Sequence, residues 1–141
     1  MQEPFLVIVG PTAVGKTALS LPIAQALDAE IVNVDSRQIY RYMDIGTAKP
    51  SMAEQAQVAH HLLDLLLPHQ PSNAAQFLTS ARQVLDDIRQ RGKQALIVAG
   101  SGLYLQALLY GLMPAPPAYA PLRHALHVYA DQHGTPALHR R

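Results

Sequence analysis

The chain has 141 residues, a net charge of +1 from 11 Lys+Arg against 10 Asp+Glu, and an apolar share of 49%. That length suits one domain, and that apolar share belongs to a globular chain and excludes disorder throughout. It contains no cysteine, which excludes disulfide frameworks, thiolate zinc sites, iron–sulfur clusters and cysteine nucleophiles; the near-neutral balance offers no general electrostatic case for a nucleic-acid partner, and none against one that touches a small patch.

Met1 to Pro4 lacks the basic segment of a signal peptide, and no stretch approaches the ~18 apolar residues of a membrane span. A soluble, cytoplasmic protein without a membrane partner is the expectation. Phe5 to Val9 is a β-branched run ending at Gly10 and reads as a strand buried on both faces. A glycine-containing loop leads into Thr17 to Leu27, whose apolar residues fall at helical spacing, with Pro22 inside. Glu30 to Val34 is a second strand ending at Asp35, so the chain opens as a βαβ unit. Residues 36 to 60 read as mostly irregular, with Ser51 capping a short helix through Gln57, and a connection of that length is commonly functional or mobile. His61 to Leu67 is expected as a third strand, and Ala74 to Arg91 as an amphipathic helix stopped by Gly92. Ala95 to Ala99 is a further buried strand, and Gly100-Ser101-Gly102 turns the chain into a helix over Leu103 to Tyr110. Pro114, Pro116, Pro117 and Pro121 crowd a linker. Leu122 to Gln132 reads as helix, and Thr135-Pro136 as an N-cap followed by proline in the first turn. The pattern divides into an α/β core over 1–113 and a proline-rich linker with the start of a helical region over 114–141. Only four strands appear, so the C-terminus reads as a truncation point of an open parallel sheet with flanking helices, P-loop NTPase-like in class.

The most specific motif is Gly10-Pro11-Thr12-Ala13-Val14-Gly15-Lys16-Thr17, which fits GxxxxGK[ST] between a strand and a helix. Its glycines let successive backbone N–H groups turn toward one anion, and the helix N-terminus adds to that field. Lys16 supplies a mobile cation and Thr17 a hydroxyl for Mg²⁺. Such a loop holds a diphosphate or the phosphates of a nucleotide such as ATP, as phosphoryl donor or as leaving group. An ordinary ATPase adds an apolar strand ending in an acid. Ala95 to Ala99 ends in Gly100-Ser101, and only the strand ending at Asp35 supplies one. That favours a small transferase over a motor ATPase.

Asp35 falls at the carboxyl end of a parallel strand, where open α/β sheets place their ligands. There it serves as a Mg²⁺ ligand, as a general base, or simply as an acceptor for the following turn. Ser36 and Gln38 offer groups that read a base edge. Gly100-Ser101-Gly102 is a second turn at the same edge, either a close approach for ligand or a plain strand-to-helix turn. Among the seven histidines, His60 and His61 face opposite ways on a strand, and His124 and His127 lack a third ligand, so a histidine metal site is not expected. Asp86-Asp87 reads as a solvated helix face. Tyr40, Tyr42 and Tyr104 suit base stacking or plain core and rim packing equally.

Taken together, the loop at 10–17, Asp35-Ser36-Arg37-Gln38-Ile39-Tyr40, Met43-Asp44-Ile45-Gly46-Thr47-Ala48-Lys49-Pro50, His60-His61-Leu62-Leu63-Asp64 and Gly100-Ser101-Gly102-Leu103-Tyr104 resemble the tRNA dimethylallyltransferase family in order and spacing, from Phe5 to about Arg123. The resemblance implies transfer of a five-carbon group from dimethylallyl diphosphate to the exocyclic amine of the adenine 3′ of the tRNA anticodon. It implies that Gly10 to Thr17 hold the diphosphate with Mg²⁺ on Thr17. Lys16 and Thr17 would act on the leaving group and Asp35 as general base. It implies that Asp35, Ser36, Arg37, Gln38, Ser101 and Arg123 contact the anticodon stem-loop. A monomer is expected. Two departures stand out. Ala99 occupies a position that is usually glycine, with Ser101 for threonine, and family members continue well past Arg141. The competing readings are a P-loop small-molecule kinase, an adenylate prenyltransferase, and a fragment that only binds phosphate.

Overall fold

A computed structural model describes residues 5–114 and 119–140. Met1 to Pro4, together with Pro116 and Pro117 of the expected linker, lie outside the described residues. The elements in chain order are β1 (Leu6–Val9), α1 (Lys16–Ala26), β2 (Ala29–Val34), α2 (Met52–Gln55), β3 (His60–His61), α3 (Ala74–Gln90), β4 (Gln94–Ala99), α4 (Gly102–Tyr110), α5 (Ala120–His133) and α6 (Thr135–His139).

The four strands form one parallel sheet in the order β1-β4-β2-β3. The opening β1-α1-β2 unit is present, its two strands parallel in one sheet but not adjacent, because β4 inserts between them. Which strands pair is settled by a segment some sixty residues downstream of β2. The burial expected for β1 also fails. β1 lies at the sheet edge, with Leu6 46% and Val9 66% exposed. By contrast every residue of β2 is buried.

Alternation along β2 and β4 splits the core between the two faces. Ile31, Leu96 and Val98 pack with Leu21 and Ala24 of α1 on one side. Val32, Val34, Ile97 and Ala99 pack with Phe77, Leu78, Ala81 and Ile88 of α3 and with Tyr104 and Leu108 of α4 on the other. The helices α1 on one face and α3 and α4 on the other make the three-layer architecture expected of an open α/β sheet.

Three local expectations shift. The strand placed over His61 to Leu67 shrinks to His60–His61, because Leu62 (φ 65°) and Asp64 (φ 55°) adopt the left-handed conformation and break the extension; a single bridge, Tyr40 to Leu66, continues the pairing beyond. The α5 helix starts at Ala120, so Pro121 is its N1/N2 proline rather than linker. Gly134 replaces Thr135 as the α6 cap residue. Pro22 is accommodated within α1, which continues to Ala26.

Candidate functional site

Between β1 and α1 the loop backbone alternates in handedness, with Ala13 at φ 64° and Gly15 at φ 89°. Such alternation gathers successive N–H groups into a concavity suited to an anion. Gly15 is the α1 cap residue and contributes no side-chain acceptor. The first-turn amides of α1 therefore lack a side-chain cap, and they carry the positive end of an 11-residue helix. The Lys16 ammonium folds back over this loop and donates to the Gly10 carbonyl at 2.8 Å and the Pro11 carbonyl at 2.7 Å. Thr17 follows in the same turn, its carbonyl accepting from the Ser20 hydroxyl at 2.9 Å.

The sheet register brings three segments level. Val9 pairs with Ala99, and Ala99 pairs with Val34. The next residues, Gly10, Gly100 and Asp35, therefore emerge side by side at the carboxyl edge, with β4 in the middle. At ~4.8 Å per strand, Gly10 and Asp35 leave the sheet roughly 10 Å apart, a span that a diphosphate and its reacting carbon can bridge.

Asp35 is half-buried, and its two oxygens differ. Oδ1 accepts from the Arg37 amide at 2.8 Å and the Gln38 amide at 3.3 Å, closing the turn that follows β2. Oδ2 lies against Gly100, where a Cβ would meet it at 2.3 Å. The Gly100 and Ser101 amides both donate to the Val34 carbonyl, at 3.0 and 3.2 Å. The Ser101 hydroxyl accepts from the Ser36 amide at 2.8 Å and donates to the Ser36 hydroxyl at 3.1 Å. The two turns are thus stitched together around the carboxylate. Ala99 places its methyl in the core, 1% exposed, so this departure from glycine is absorbed by packing below the turn.

The stretch from 36 to 60 is more ordered than its composition suggests. Lys49, whose side chain is 3% exposed, donates to the Tyr40 carbonyl (2.7 Å), Asp44 Oδ1 (2.6 Å) and Asp64 Oδ1 (2.7 Å). All three ammonium protons are used. Burial opposes the charge, but the hydrogen bonds to Asp44 and Asp64 outweigh it and hold the Lys49 pKa above the usual lysine value. Gln38 Nε2 donates to the Thr47 and Ala48 carbonyls, so its amide N–H groups serve this loop and not a base edge. The clamped loop, with Arg37 beside it, borders a cavity of about 480 Å³ lined by Tyr42 to Thr47. At its tip Ile45 is 99% exposed. Ser51 and Glu54 form a capping box that starts α2.

The sequence-derived site residues therefore divide. Gly10 to Thr17, Asp35 to Gln38 and Ser101 converge on one sheet edge. Arg123 is exposed on α5, which has no buried residue among the described ones and packs mainly against α6 rather than on the sheet. Tyr104 is core, its ring tilted 36° against Phe77 with centroids 4.6 Å apart, and the Tyr40 hydroxyl donates to the Gln70 carbonyl. Asp86 and Asp87 face solvent and pair with Arg89 and Arg91. His60 Nδ1 contacts the Val58 carbonyl and His61 Nε2 contacts Glu30; among the described residues no group of three metal-ligating side chains gathers. No helix among them is long and apolar enough to cross a membrane. Sequence reasoning missed Lys49 and the Gly100–Asp35 contact. The Met43 to Pro50 segment had stood out only through the family resemblance. The partners Asp44 and Asp64 sit five residues before and fifteen after Lys49, at no periodic spacing.

The family model for IPP transferase matches residues 38–141. The chain is 50% identical, over all of its 141 residues, to 46% of the tRNA dimethylallyltransferase of Halorhodospira halophila. It superposes with a TM-score of 0.77 and 38% identity on the full-length tRNA isopentenylpyrophosphate transferase of Bacillus halodurans, covering 99% of this chain and 46% of that one. A eukaryotic dimethylallyltransferase acting on tRNA gives a TM-score of 0.76 at 29% identity, over 86% of this chain and 31% of that one. The chain spans less than half the length of these relatives. A family match over most of the chain, carried through the Asp44–Lys49–Asp64 clamp and the turn at Gly100, makes it a member of the IPP transferase family.

Proposed function

We propose that this protein transfers a dimethylallyl group from dimethylallyl diphosphate to the exocyclic amine of the adenine 3′ of the anticodon in tRNA. The observation that carries this is the placement of Asp35: a carboxylate at the end of β2, one strand removed from the phosphate loop, with only the glycine turn of β4 between them. The relatives' names, tRNA dimethylallyltransferase and tRNA isopentenylpyrophosphate transferase, support the same chemistry.

In this scheme the loop amides and the Lys16 ammonium grip the diphosphate. The ammonium exchanges its present carbonyl partners, Gly10 and Pro11, for phosphate oxygens. The adenine leaves its stack to reach the sheet edge. Its exocyclic nitrogen attacks the first carbon of the prenyl chain, the C–O bond to the diphosphate breaks, and pyrophosphate departs with the electron pair. Asp35 Oδ2 takes the proton released from the amine, while Oδ1 stays bonded to the Arg37 and Gln38 amides. Backbone amides aimed at the leaving group lower the barrier where charge develops. The Thr17 hydroxyl, an oxygen donor in the first turn of α1, would hold a Mg²⁺ here, and that ion would neutralise charge on the leaving group. Arg37, exposed beside the 42–47 cavity, and Ser101 and Arg123 are the proposed tRNA contacts, in a monomer working in the cytoplasm.

The test is incubation with radiolabelled dimethylallyl diphosphate and unmodified tRNA. Label is expected in the tRNA and is expected to fall at least about 10²-fold in Asp35→Ala. Folded protein that leaves tRNA unlabelled but moves phosphate from ATP to a small acceptor would overturn the proposal.

A further inference from the structure

We infer that Gly100 is a positioning residue that sets the location of the Asp35 carboxylate, with Ser101 as the clasp that holds the two turns in register. A Cβ built on Gly100 lies 2.3 Å from Asp35 Oδ2 and 3.4 Å from its Cγ, and the three nearest atoms all belong to Asp35. No real Cβ tolerates such an approach. Gly100 does not occupy the left-handed region that only glycine favours, so no positive-φ penalty stands against alanine there. What an added methyl would displace is the carboxylate. The glycine therefore acts as a gauge: the gap it leaves is filled by Oδ2, the oxygen that the turn does not use.

The second observation is the clasp. Ser101 bonds both the amide and the hydroxyl of Ser36, the residue after Asp35. The Gly100 and Ser101 amides share the Val34 carbonyl, the residue before it. Asp35 is thus flanked on both sides by bonds to one turn of β4, sixty-five residues away in sequence. Gly102, in the same turn, has nothing within 4 Å of its Cβ position. The steric role is therefore specific to Gly100 and not a general demand for glycine in the turn.

The catalytic meaning of this role rests on the prenyl-transfer proposal, and the experiment separates the two. In the first arm, NMR of the folded protein follows the Asp35 side-chain carboxyl carbon and the Arg37 and Gln38 amides. Gly100→Ala is expected to shift all three, and Gly102→Ala to leave them in place; unmoved resonances in Gly100→Ala overturn the inference. In the second arm, prenyl transfer to tRNA is measured for the wild type, Gly100→Ala, Asp35→Ala and the double variant. The expectation is a fall in kcat of about 10²-fold in Gly100→Ala, dimethylallyl diphosphate affinity changed less than about twofold, and no further loss in the double variant, the signature of two residues acting as one unit. Additive losses, or a loss confined to diphosphate affinity, overturn the positioning role. A wild type inert toward tRNA in this arm refutes prenyl transfer and the catalytic role with it, while the first arm still decides the steric one.

Discussion

Glu30 offers a sharp energetic test of this fold. It is a carboxylate on the most buried strand, its side chain 8% exposed, and it is held by Arg91 through both guanidinium nitrogens and by His61 at 2.7 Å. The Arg91 hydrogen bonds are the main cause, opposed by burial and assisted by His61, of a Glu30 pKa lowered from 4.5 to about 2. At ~1.4 kcal/mol per pH unit this displacement sets a ceiling of ~3 kcal/mol. Arg91 is 41% exposed and shares its charge with Asp87, so solvent screening reduces the expectation to about 1–2 kcal/mol. The sign follows from linkage. The native carboxyl is the stronger acid, so its stabilisation is complete above about pH 4.5 and is lost as pH falls toward about 2. Urea unfolding of the wild type and of Glu30→Gln at a series of pH values measures this directly. Glu30→Gln should be less stable by about 1–2 kcal/mol at pH 7, and the gap should close progressively below pH 4.5. A gap that is the same at pH 7 and pH 3 would show that packing, not charge, sustains the site.

Two further outcomes are expected. Lys49→Met removes the three ammonium hydrogen bonds to Tyr40, Asp44 and Asp64; because Asp44 and Asp64 are partly solvated once released, the loss should be about 2–3 kcal/mol, seen as a lower Tm by roughly 5–10 °C and faster amide exchange over 40–50. Gly15→Ala forces an alanine to φ +89° in otherwise open space; calorimetry should show about 1–2 kcal/mol less stability and thermal-shift titration with dimethylallyl diphosphate a weakened response, whereas unchanged stability would contradict the left-handed turn.

Local rules made several features legible. Gly10 to Thr17 carries its own chemistry in its spacing, and the strand before it and helix after it appear in the structure within a residue or so of their expected ends. Asp35 was placed at a strand terminus by the apolar run that precedes it, and α3 by its stripe of apolar residues with Gly92 as stop; its cap, Asn73, emerged only in the structure. In each case the determining interaction lies within a few residues: backbone hydrogen bonds, caps and alternation. The third strand shows the limit, since nothing in the run from His61 to Leu67 announces the left-handed Leu62 and Asp64 that end it.

The amino-acid sequence by itself therefore determined most of the elements, the glycine-lysine loop at 10–17 and the acid at the end of β2, because these depend on short-range periodicity and turn chemistry. The tertiary structure alone decided that β4 separates β1 from β2, that Lys49 gathers Asp44 and Asp64, that Arg91 reaches Glu30, and that Gly100 makes room for Asp35. Those relations join residues that share no repeat along the chain. They form only when burial of both sheet faces selects one strand order, and that order leaves the glycine that follows β4 between the 10–17 loop and the Asp35 carboxylate.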